Sequence, residues 1–116
     1  SSWLVGTWKI FDRRSPDHKE ETVIEFREES DGISGYLIRS ENKQLLERGY
    51  SSNERIFRKI KEVKYPPYKE YARGECLLPN KRWIERSDLY LGPWTYMFKC
   101  GDLDLVGVYQ YAKKSN

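Results

Sequence analysis

The sequence contains few of the residues from which metal centres and most catalytic sites are built. Among its 116 residues there is one histidine, His18, and there are two cysteines, Cys76 and Cys100, far apart in the chain. A structural zinc site usually takes four Cys or His ligands in close spacing, so this inventory argues against one. Nothing resembles a glycine-rich phosphate loop either. We therefore expect no metal and no cofactor.

The scarcity of histidine also limits the catalytic options. His18 lies in a polar stretch, residues 13–20, which we interpret as an exposed loop. A general base needs an orienting group and a nucleophile nearby; Asp12 or Asp17 offers the first, but Ser15 is a weak candidate for the second. Cys76 as a nucleophile would need the same imidazole. We expect His18 to be a surface residue and the chain not to be an enzyme.

Apolar runs are short, and neither sign of charge dominates. No run approaches the roughly 20 residues that cross a bilayer, so no transmembrane segment is expected. The 21 basic and 18 acidic residues leave a net charge of +3 and alternate closely along the chain. Residues 55–69 form the most basic stretch, which we interpret as a solvated face. Proteins that bind nucleic acid concentrate positive charge on one face, so we expect no nucleic-acid partner.

The two cysteines permit one disulfide. Cys76 and Cys100 each fall in a predicted strand, so a cross-strand bond is possible if the registers align them, and two buried free thiols are the alternative. The chain begins Ser1-Ser2 without an initiator methionine, which removal of a signal peptide or a trimmed boundary would each explain. On these grounds we expect a secreted or periplasmic location.

What the sequence does contain is a series of segments that alternate between apolar and polar residues. In residues 22–27, Ile24 and Phe26 fall on one face, and Asp31-Gly32 then offers a tight hairpin turn. Turn residues such as Pro79-Asn80 and Gly101-Asp102 separate the later segments. The predicted strands are residues 4–11, 22–27, 33–38, 68–78, 83–90, 95–100 and 103–111.

The middle of the chain allows two interpretations. Ser51 and Glu54 have the spacing of a capping box, and Ile56, Phe57 and Ile60 then recur at helical intervals. This spacing predicts one short amphipathic helix over residues 51–63. The alternative is a further strand, because Ile56 and Ile60 also lie on one face of an extended chain.

Together these segments predict a mainly β fold. About eight antiparallel strands in up-and-down order, with at most one short helix, must close or stack to avoid exposed edges. We expect a single barrel domain over residues 1–116, in which the first and last strands are neighbours.

The first and last predicted strands carry a resemblance to a known family. Gly6-Thr7-Trp8 opens the first strand, and residues 105–109 return beside it. With the meander of short strands, the chain resembles the calycin superfamily, in particular small lipocalin-like barrels of exported bacterial proteins of uncharacterised function. The resemblance implies that Trp8 packs across the closed base and that Lys113, or else Lys114, lies over its ring. An avidin-like barrel, which also opens with Gly-Thr-Trp, is a nearby variant.

Aromatic residues, 15% of the chain, are the main candidates for function. Trp94, Tyr96, Phe98 and Cys100 must share one face of a strand, and if that face is internal, the rings line a pocket. We therefore expect a small apolar or amphipathic ligand, bound without catalysis. The candidate ligand-binding residues are Trp83, Trp94, Tyr96, Phe98, Tyr109 and, as a polar group, Arg73.

The alternative function follows if the same rings fill the barrel completely. Tyr65, Tyr68 and Tyr71 cluster around Pro66-Pro67 near Lys64 and Lys69, and such a surface is suited to a protein or a sugar ring. The chain would then be an extracellular or periplasmic module that binds or inhibits another protein.

Overall fold

The computed structural model describes residues 2–12, 20–93, 95–101, 103–104 and 110–115. Within them, nearly all regular structure is β. The elements in chain order are β1 (Gly6–Asp12), β2 (Glu21–Glu29), β3 (Gly32–Ser40), α1 (Lys43–Glu47), β4 (Glu54–Glu62), β5 (Tyr71–Leu77), β6 (Trp83–Leu91), β7 (Tyr96–Cys100), β8 (Leu103–Asp104) and β9 (Gln110–Ser115).

The strands form one antiparallel sheet that curls into a nearly closed barrel. Its order is β8-β7-β6-β5-β4-β3-β2-β1-β9, so consecutive strands are neighbours almost throughout. The short β8 pairs with β7 at one edge of the sheet, and β9 pairs with β1 at the other edge. The predicted fold class is confirmed. The strand beside β1 is β9, which begins at Gln110, whereas residues 105–109 of the predicted last strand lie outside the described residues. No helix in the described ranges has the length and apolarity to cross a membrane.

The hairpin of β2 and β3 shows how the alternating pattern becomes structure. Ile24 and Phe26 point into the barrel and are buried, whereas Glu25 and Arg27 lie outside and pair with each other. The two-residue loop is residues 30–31, one position earlier than predicted, because Gly32 already pairs with β2. Gly32 has φ 131°, and a Cβ there would lie 3.1 Å from the Ile60 carbonyl oxygen, so glycine suits this position.

The helix predicted over residues 51–63 is wrong, because the strand alternative holds there as β4. The apolar spacing arises from a bulge instead. Lys59 has φ 53°, and the register with β5 shifts between Arg58 and Lys61. This extra residue changes the phase of the strand, so Phe57 and Ile60 are both buried although three positions apart.

The one helix among the described residues is α1, which precedes the predicted position. Asn42 caps it, its side-chain oxygen accepting a hydrogen bond from the Leu45 amide at 3.2 Å, and Leu45 is buried against the barrel. The capping-box contact also forms, since the Ser51 amide donates to the Glu54 carboxylate at 2.9 Å. There, however, it closes a turn that leads into β4.

Cys76 and Cys100 are joined by a disulfide, with their Cα atoms 5.7 Å apart. Cys76 belongs to β5 and Cys100 to β7, while β6 lies between these strands in the sheet. Both residues are buried in the core. The bond therefore links two strands that are not hydrogen-bonded to each other.

Candidate functional site

Five aromatic rings pack together inside the barrel, and we call them the inner ring cluster: Trp8, Tyr96, Phe98, Phe26 and Phe57. The Trp8 ring meets those of Tyr96 and Phe98 edge to face, at centroid distances of 4.7 and 5.1 Å. Phe26 contacts Phe98 and Phe57, each at 5.5 Å. Such geometries are favourable for aromatic pairs and add to the gain from burial. Rings from four different strands thus meet in the described interior.

Close packing extends to the backbone beside these rings. A Cβ atom on Gly35 would lie 2.6 Å from the Phe26 ring and 2.9 Å from the Phe57 ring. The sheet can therefore approach the two rings only where the side chain is absent. This position leaves no space for a further group between β3 and the inner ring cluster.

The base of the barrel is built around Trp8, whose indole N–H donates to the Leu4 carbonyl at 2.8 Å. The tail of Lys114 covers Gly6, where a Cβ would lie 2.9 Å from its Cε atom. Its ammonium donates to the Trp3 carbonyl at 2.9 Å. Trp8 pairs with Lys114 in the β1–β9 register, and Lys9 pairs with Lys113. Of the two lysines named from the sequence, Lys114 is the one at the base.

The segment before β1 closes this end of the barrel from outside. Trp3 stacks on Tyr96 at 5.4 Å, and Ser2 donates its hydroxyl to Glu62 at 2.9 Å. The Tyr96 hydroxyl donates to Glu70 at 2.6 Å. Burial, and then this hydrogen bond, raise the pKa of Tyr96 to about 12.

The ligand-binding residues named from the sequence are divided between two environments. Tyr96 and Phe98 belong to the inner ring cluster. Trp83 lies beneath the Arg58 guanidinium, 4.1 Å from its ring centroid, and Arg73 is half exposed. Trp94, Tyr109 and the candidate base His18 lie outside the described residues. Of the four named side chains that the structure describes, it therefore brings Tyr96 and Phe98 together.

A second aromatic group lies on the outer face of β5 and β6 and on the hairpin that precedes β5. Tyr71 and Tyr90 pair across the two strands, next to Ala72 and Leu89, which point into the core. Since neighbouring residues on a strand face opposite ways, the two tyrosines are outside. We call the tyrosine cluster the four residues Tyr65, Tyr68, Tyr71 and Tyr90.

The tyrosine cluster is held by ring stacking. Tyr65 stacks on Tyr71 at 4.8 Å, and Tyr71 stacks on Tyr90 at 5.5 Å. Tyr68 lies against Tyr71 at 5.2 Å and against Tyr90 at 4.9 Å. The hairpin turn brings Tyr65 and Tyr68 together, because the Tyr68 amide donates to the Tyr65 carbonyl at 2.9 Å. Each ring therefore fixes the position of its neighbours.

Exposure increases from the sheet toward the hairpin. Tyr71 is 7% exposed, whereas Tyr68 is 37% and Tyr65 is 43% exposed. The buried ring supports the two exposed rings, which lose little side-chain freedom if a partner covers them. Rigid, partly exposed tyrosines of this kind are enriched among the residues that contribute most to protein–protein binding.

Two charged side chains, Asp88 and Arg73, hold the tyrosine cluster in place on the sheet. The Tyr71 hydroxyl donates to Asp88 at 2.6 Å, and Arg73 donates to the same carboxylate oxygen at 3.2 Å. The Arg73 guanidinium also lies over the Tyr65 ring, 4.9 Å from its centroid. Burial, and then the hydrogen bond to Asp88, raise the pKa of Tyr71 to about 12. The hydroxyl is therefore a donor at neutral pH.

Two open clefts adjoin the tyrosine cluster. The proline cleft, about 390 Å³, lies at the hairpin and is lined by Pro67, Tyr68, Lys69, Leu91, Gly92 and Pro93. The charged cleft, about 570 Å³, lies farther along β5 and β6. Its lining includes Arg73 and Asp88, which also contact the tyrosine cluster. Four basic and four acidic side chains line the charged cleft, so neither sign prevails there.

The sequence indicated the Tyr-Pro segment but missed Tyr90 and Asp88 as parts of the same surface. Their contribution depends on the β5–β6 register, which places Tyr90 opposite Tyr71 and Asp88 opposite Arg73. A sequence pattern does not fix this register, although the proposed strands contained both residues.

Within the described ranges, neither the cysteines nor the metal-ligating side chains form a reactive site. Cys76 is bonded to Cys100, so its sulfur is not a nucleophile. No group of three His, Cys, Asp or Glu side chains converges there in the manner of metal ligands.

Comparisons with protein-family models, with curated proteins and with solved structures find no match to this chain. Function is therefore inferred from the geometry and chemistry of these residues alone.

Proposed function

We propose that this protein is a non-enzymatic binding module that recognises another protein through the tyrosine cluster and the proline cleft. The observation that supports this proposal is the packing of two partly exposed rings on the buried Tyr71, with Tyr65 stacked on it and Tyr68 tilted against it. Tyrosine combines a large apolar area with a hydroxyl and few rotatable bonds, which suits it to such a role. Binding or inhibition of the partner would use the same surface.

The shape of the surface favours an extended segment of the partner. The proline cleft runs between the hairpin and the start of the β6–β7 loop, and its walls are prolines, a tyrosine and a leucine. Aromatic and proline-lined grooves accept chains in the polyproline II conformation, which lose little entropy on binding. A loop or tail of this form is the proposed epitope.

A ligand inside the barrel, the first expectation from the sequence, is less well supported. The inner ring cluster and the tight fit at Gly35 occupy the described interior. Large rings that fill a small barrel leave it without the volume of roughly 300 Å³ that drug-sized ligands need. We therefore propose that the inner ring cluster stabilises the fold and does not bind a ligand.

We further propose that the barrel is related to the calycins and that the protein is exported. The buried Trp8 after Gly6, with Lys114 across from it, supports the relationship. The disulfide supports the location, since such bonds persist in oxidising compartments. Mass spectrometry of protein taken directly from its native compartment would test the location, because a reduced chain is heavier by about two hydrogens.

The proposed function can be tested by selection from a phage-displayed library of random dodecapeptides. The matched variants are the double substitution Tyr65→Ala/Tyr68→Ala and the control Leu46→Ala, whose side chain is 42% exposed on α1. We expect the wild type to enrich related peptides that bind the control equally. Their affinity for the double variant should fall by more than about tenfold, as for two residues at the centre of an interface.

The proposal would be overturned if no related peptides were enriched, or if the enriched peptides bound the double variant as tightly as the wild type. Thermal unfolding of both variants serves as the folding control. A small molecule that co-purifies with the wild type and is lost in a Phe98→Ala variant would support the interior site instead.

A further inference from the structure

Three lysines beside the tyrosine cluster have no anionic partner within the described part of the chain. Lys64 and Lys69 belong to the hairpin, whereas Lys61 lies opposite Arg73 in the backbone register of β4 and β5 and lines the charged cleft. All three are exposed, and their ammonium groups form no ion pair with any of the described residues. Lys69 also lines the proline cleft.

The carboxylates of the same region are already engaged. Glu62 accepts a hydrogen bond from Ser2, Glu70 accepts one from Tyr96, and Asp88 accepts from Tyr71 and Arg73. These hydrogen bonds direct the Glu62 and Glu70 carboxylates toward Ser2 and Tyr96, but the donors are neutral hydroxyls, so both groups keep their negative charge. The charge of Asp88 is balanced by Arg73. Three lysines against Glu62 and Glu70 therefore leave a small excess of positive charge around the hairpin.

We propose that the partner segment is acidic, and that Lys61, Lys64 and Lys69 determine this specificity. The inference rests on the proposed function, because the tyrosine cluster and the proline cleft supply the apolar contacts. The lysines supply charge complementarity, which raises the association rate and disfavours basic segments. A proline-containing acidic peptide satisfies both parts of the surface.

Nucleic acid, the other polyanion that such a surface suggests, fits less well. Proteins that bind single strands stack bases on free aromatic faces. Here Tyr65 stacks on Tyr71 and carries Arg73 over its ring, while Tyr71 also stacks on Tyr90. The faces of Tyr65 and Tyr71 are therefore occupied, and at these two rings a partner meets edges and hydroxyls.

The test compares three fluorescent probes by anisotropy: a decapeptide of alternating Glu and Pro, the same peptide with Gln for Glu, and a short oligothymidine. The protein variants are Lys61→Gln/Lys64→Gln/Lys69→Gln and a control of equal charge change, Lys43→Gln/Arg82→Gln/Lys113→Gln. The control side chains are exposed and lie at α1, in the β5–β6 turn and on β9.

We expect the Glu peptide to bind the wild type about tenfold more tightly than the Gln peptide at low salt, with the preference reduced at high salt. The lysine triple variant should lose this preference, and the control should keep it. Equal binding of the two peptides, no binding of the Glu peptide, or tighter binding of oligothymidine would each overturn the proposal. Equal losses in the two triple variants would overturn the assignment to these lysines.

Failure of this inference is distinguishable from failure of the proposed function. If the random library yields tyrosine-dependent peptides while the Glu and Gln peptides bind equally, only the acidic character of the partner is refuted. If selected peptides do not depend on the tyrosines, both proposals fall.

Discussion

The barrel contains two aromatic clusters, one on each side of the same sheet, and they differ in chemistry as well as in exposure. The inner ring cluster consists of tryptophan, phenylalanine and one tyrosine, and its closest pairs meet largely edge to face. The tyrosine cluster has only tyrosines, and two of its pairs are stacked. In the inner ring cluster the polar atoms of Trp8 and Tyr96 are hydrogen-bonded to Leu4 and Glu70, whereas Tyr65 and Tyr68 of the tyrosine cluster are partly exposed to water.

This difference predicts that the inner ring cluster serves stability and the tyrosine cluster serves recognition. Each inner ring is surrounded by other core side chains, so its removal leaves a cavity. Each exposed outer ring has one face or edge in solvent, so its removal costs little until a partner covers it. The inner cluster should therefore govern the free energy of unfolding, and the outer cluster should govern affinity.

The largest expected effect is that of Phe26→Ala, because Phe26 joins Phe57 to Phe98 in the inner ring cluster. Loss of a fully buried phenylalanine typically costs about 3–5 kcal/mol of unfolding free energy. Urea denaturation measures this cost. A loss below about 1 kcal/mol would mean that the interior is not tightly packed around this ring.

Removal of the disulfide by Cys76→Ala/Cys100→Ala should cost somewhat less. The bond closes a loop with a sequence separation of 24, for which loop-closure entropy predicts about 3.5 kcal/mol. Urea denaturation of the wild type with and without reductant gives an independent value. If neither treatment shifts the midpoint, the bond contributes nothing to the stability of the core.

Gly35→Ala tests how closely β3 approaches the inner rings. The new Cβ would lie 2.6 Å from the Phe26 ring, and such overpacking typically costs about 1–3 kcal/mol. The double variant Gly35→Ala/Phe57→Leu should recover part of this loss, because the smaller side chain makes room. Equal stability of Gly35→Ala and wild type in urea would show that the rings shift freely.

Alkaline titration compares one hydroxyl from each cluster. The pKa values of Tyr96 and Tyr71 are both raised from 10.0 to about 12, chiefly by burial and then by a hydrogen bond to a carboxylate. A raised pKa means that folding favours the protonated hydroxyl. The associated stability is complete below pH 10 and is lost as the pH rises toward 12.

The measurement for these hydroxyls is tyrosinate absorbance together with unfolding free energy across this pH range. Tyr96→Phe and Tyr71→Phe should each remove one late-titrating group and flatten the decline in stability. If either variant declines as steeply as the wild type, that hydroxyl does not carry the shift.

The smallest expected effect is that of Tyr65→Ala on stability. Its side chain is 43% exposed and its main loss is the stack on Tyr71, so the cost should stay below about 1 kcal/mol. Urea denaturation beside Phe26→Ala gives the direct comparison. A cost equal to that of Phe26→Ala would remove the distinction between a structural and a binding cluster.

Most of the barrel was predictable from the sequence because its strands alternate regularly. The alternating Ile24 and Phe26 indicated the inner face of β2. Closure of the barrel accounts for the pairing of β1 with β9. The helix was misplaced because a bulge at Lys59 gives β4 an apolar spacing that resembles a helical one. Single-residue irregularities of this kind depend on tertiary packing.

The candidate site was only half predictable. Tyr65, Tyr68 and Tyr71 are close in sequence, so their clustering around two prolines was visible. Tyr90 joins them only through the β5–β6 register, and the separation of Phe98 from Arg73 depends on which face each side chain takes. Both are long-range properties of the sheet, and local patterns determine them weakly.

The hydrogen bonds of Ser2 and Lys114 hold both terminal segments at one end of the barrel, which affects the design of a binding assay. Ser2 is bonded to Glu62, at the end of β4 where the tyrosine hairpin begins, and Ser115 pairs with Thr7 at the same end of the barrel. A tag or surface linker fused before Ser2 or after Ser115 would therefore emerge beside the tyrosine cluster and crowd it. Attachment through a cysteine introduced on α1, at the opposite end, would present the surface freely.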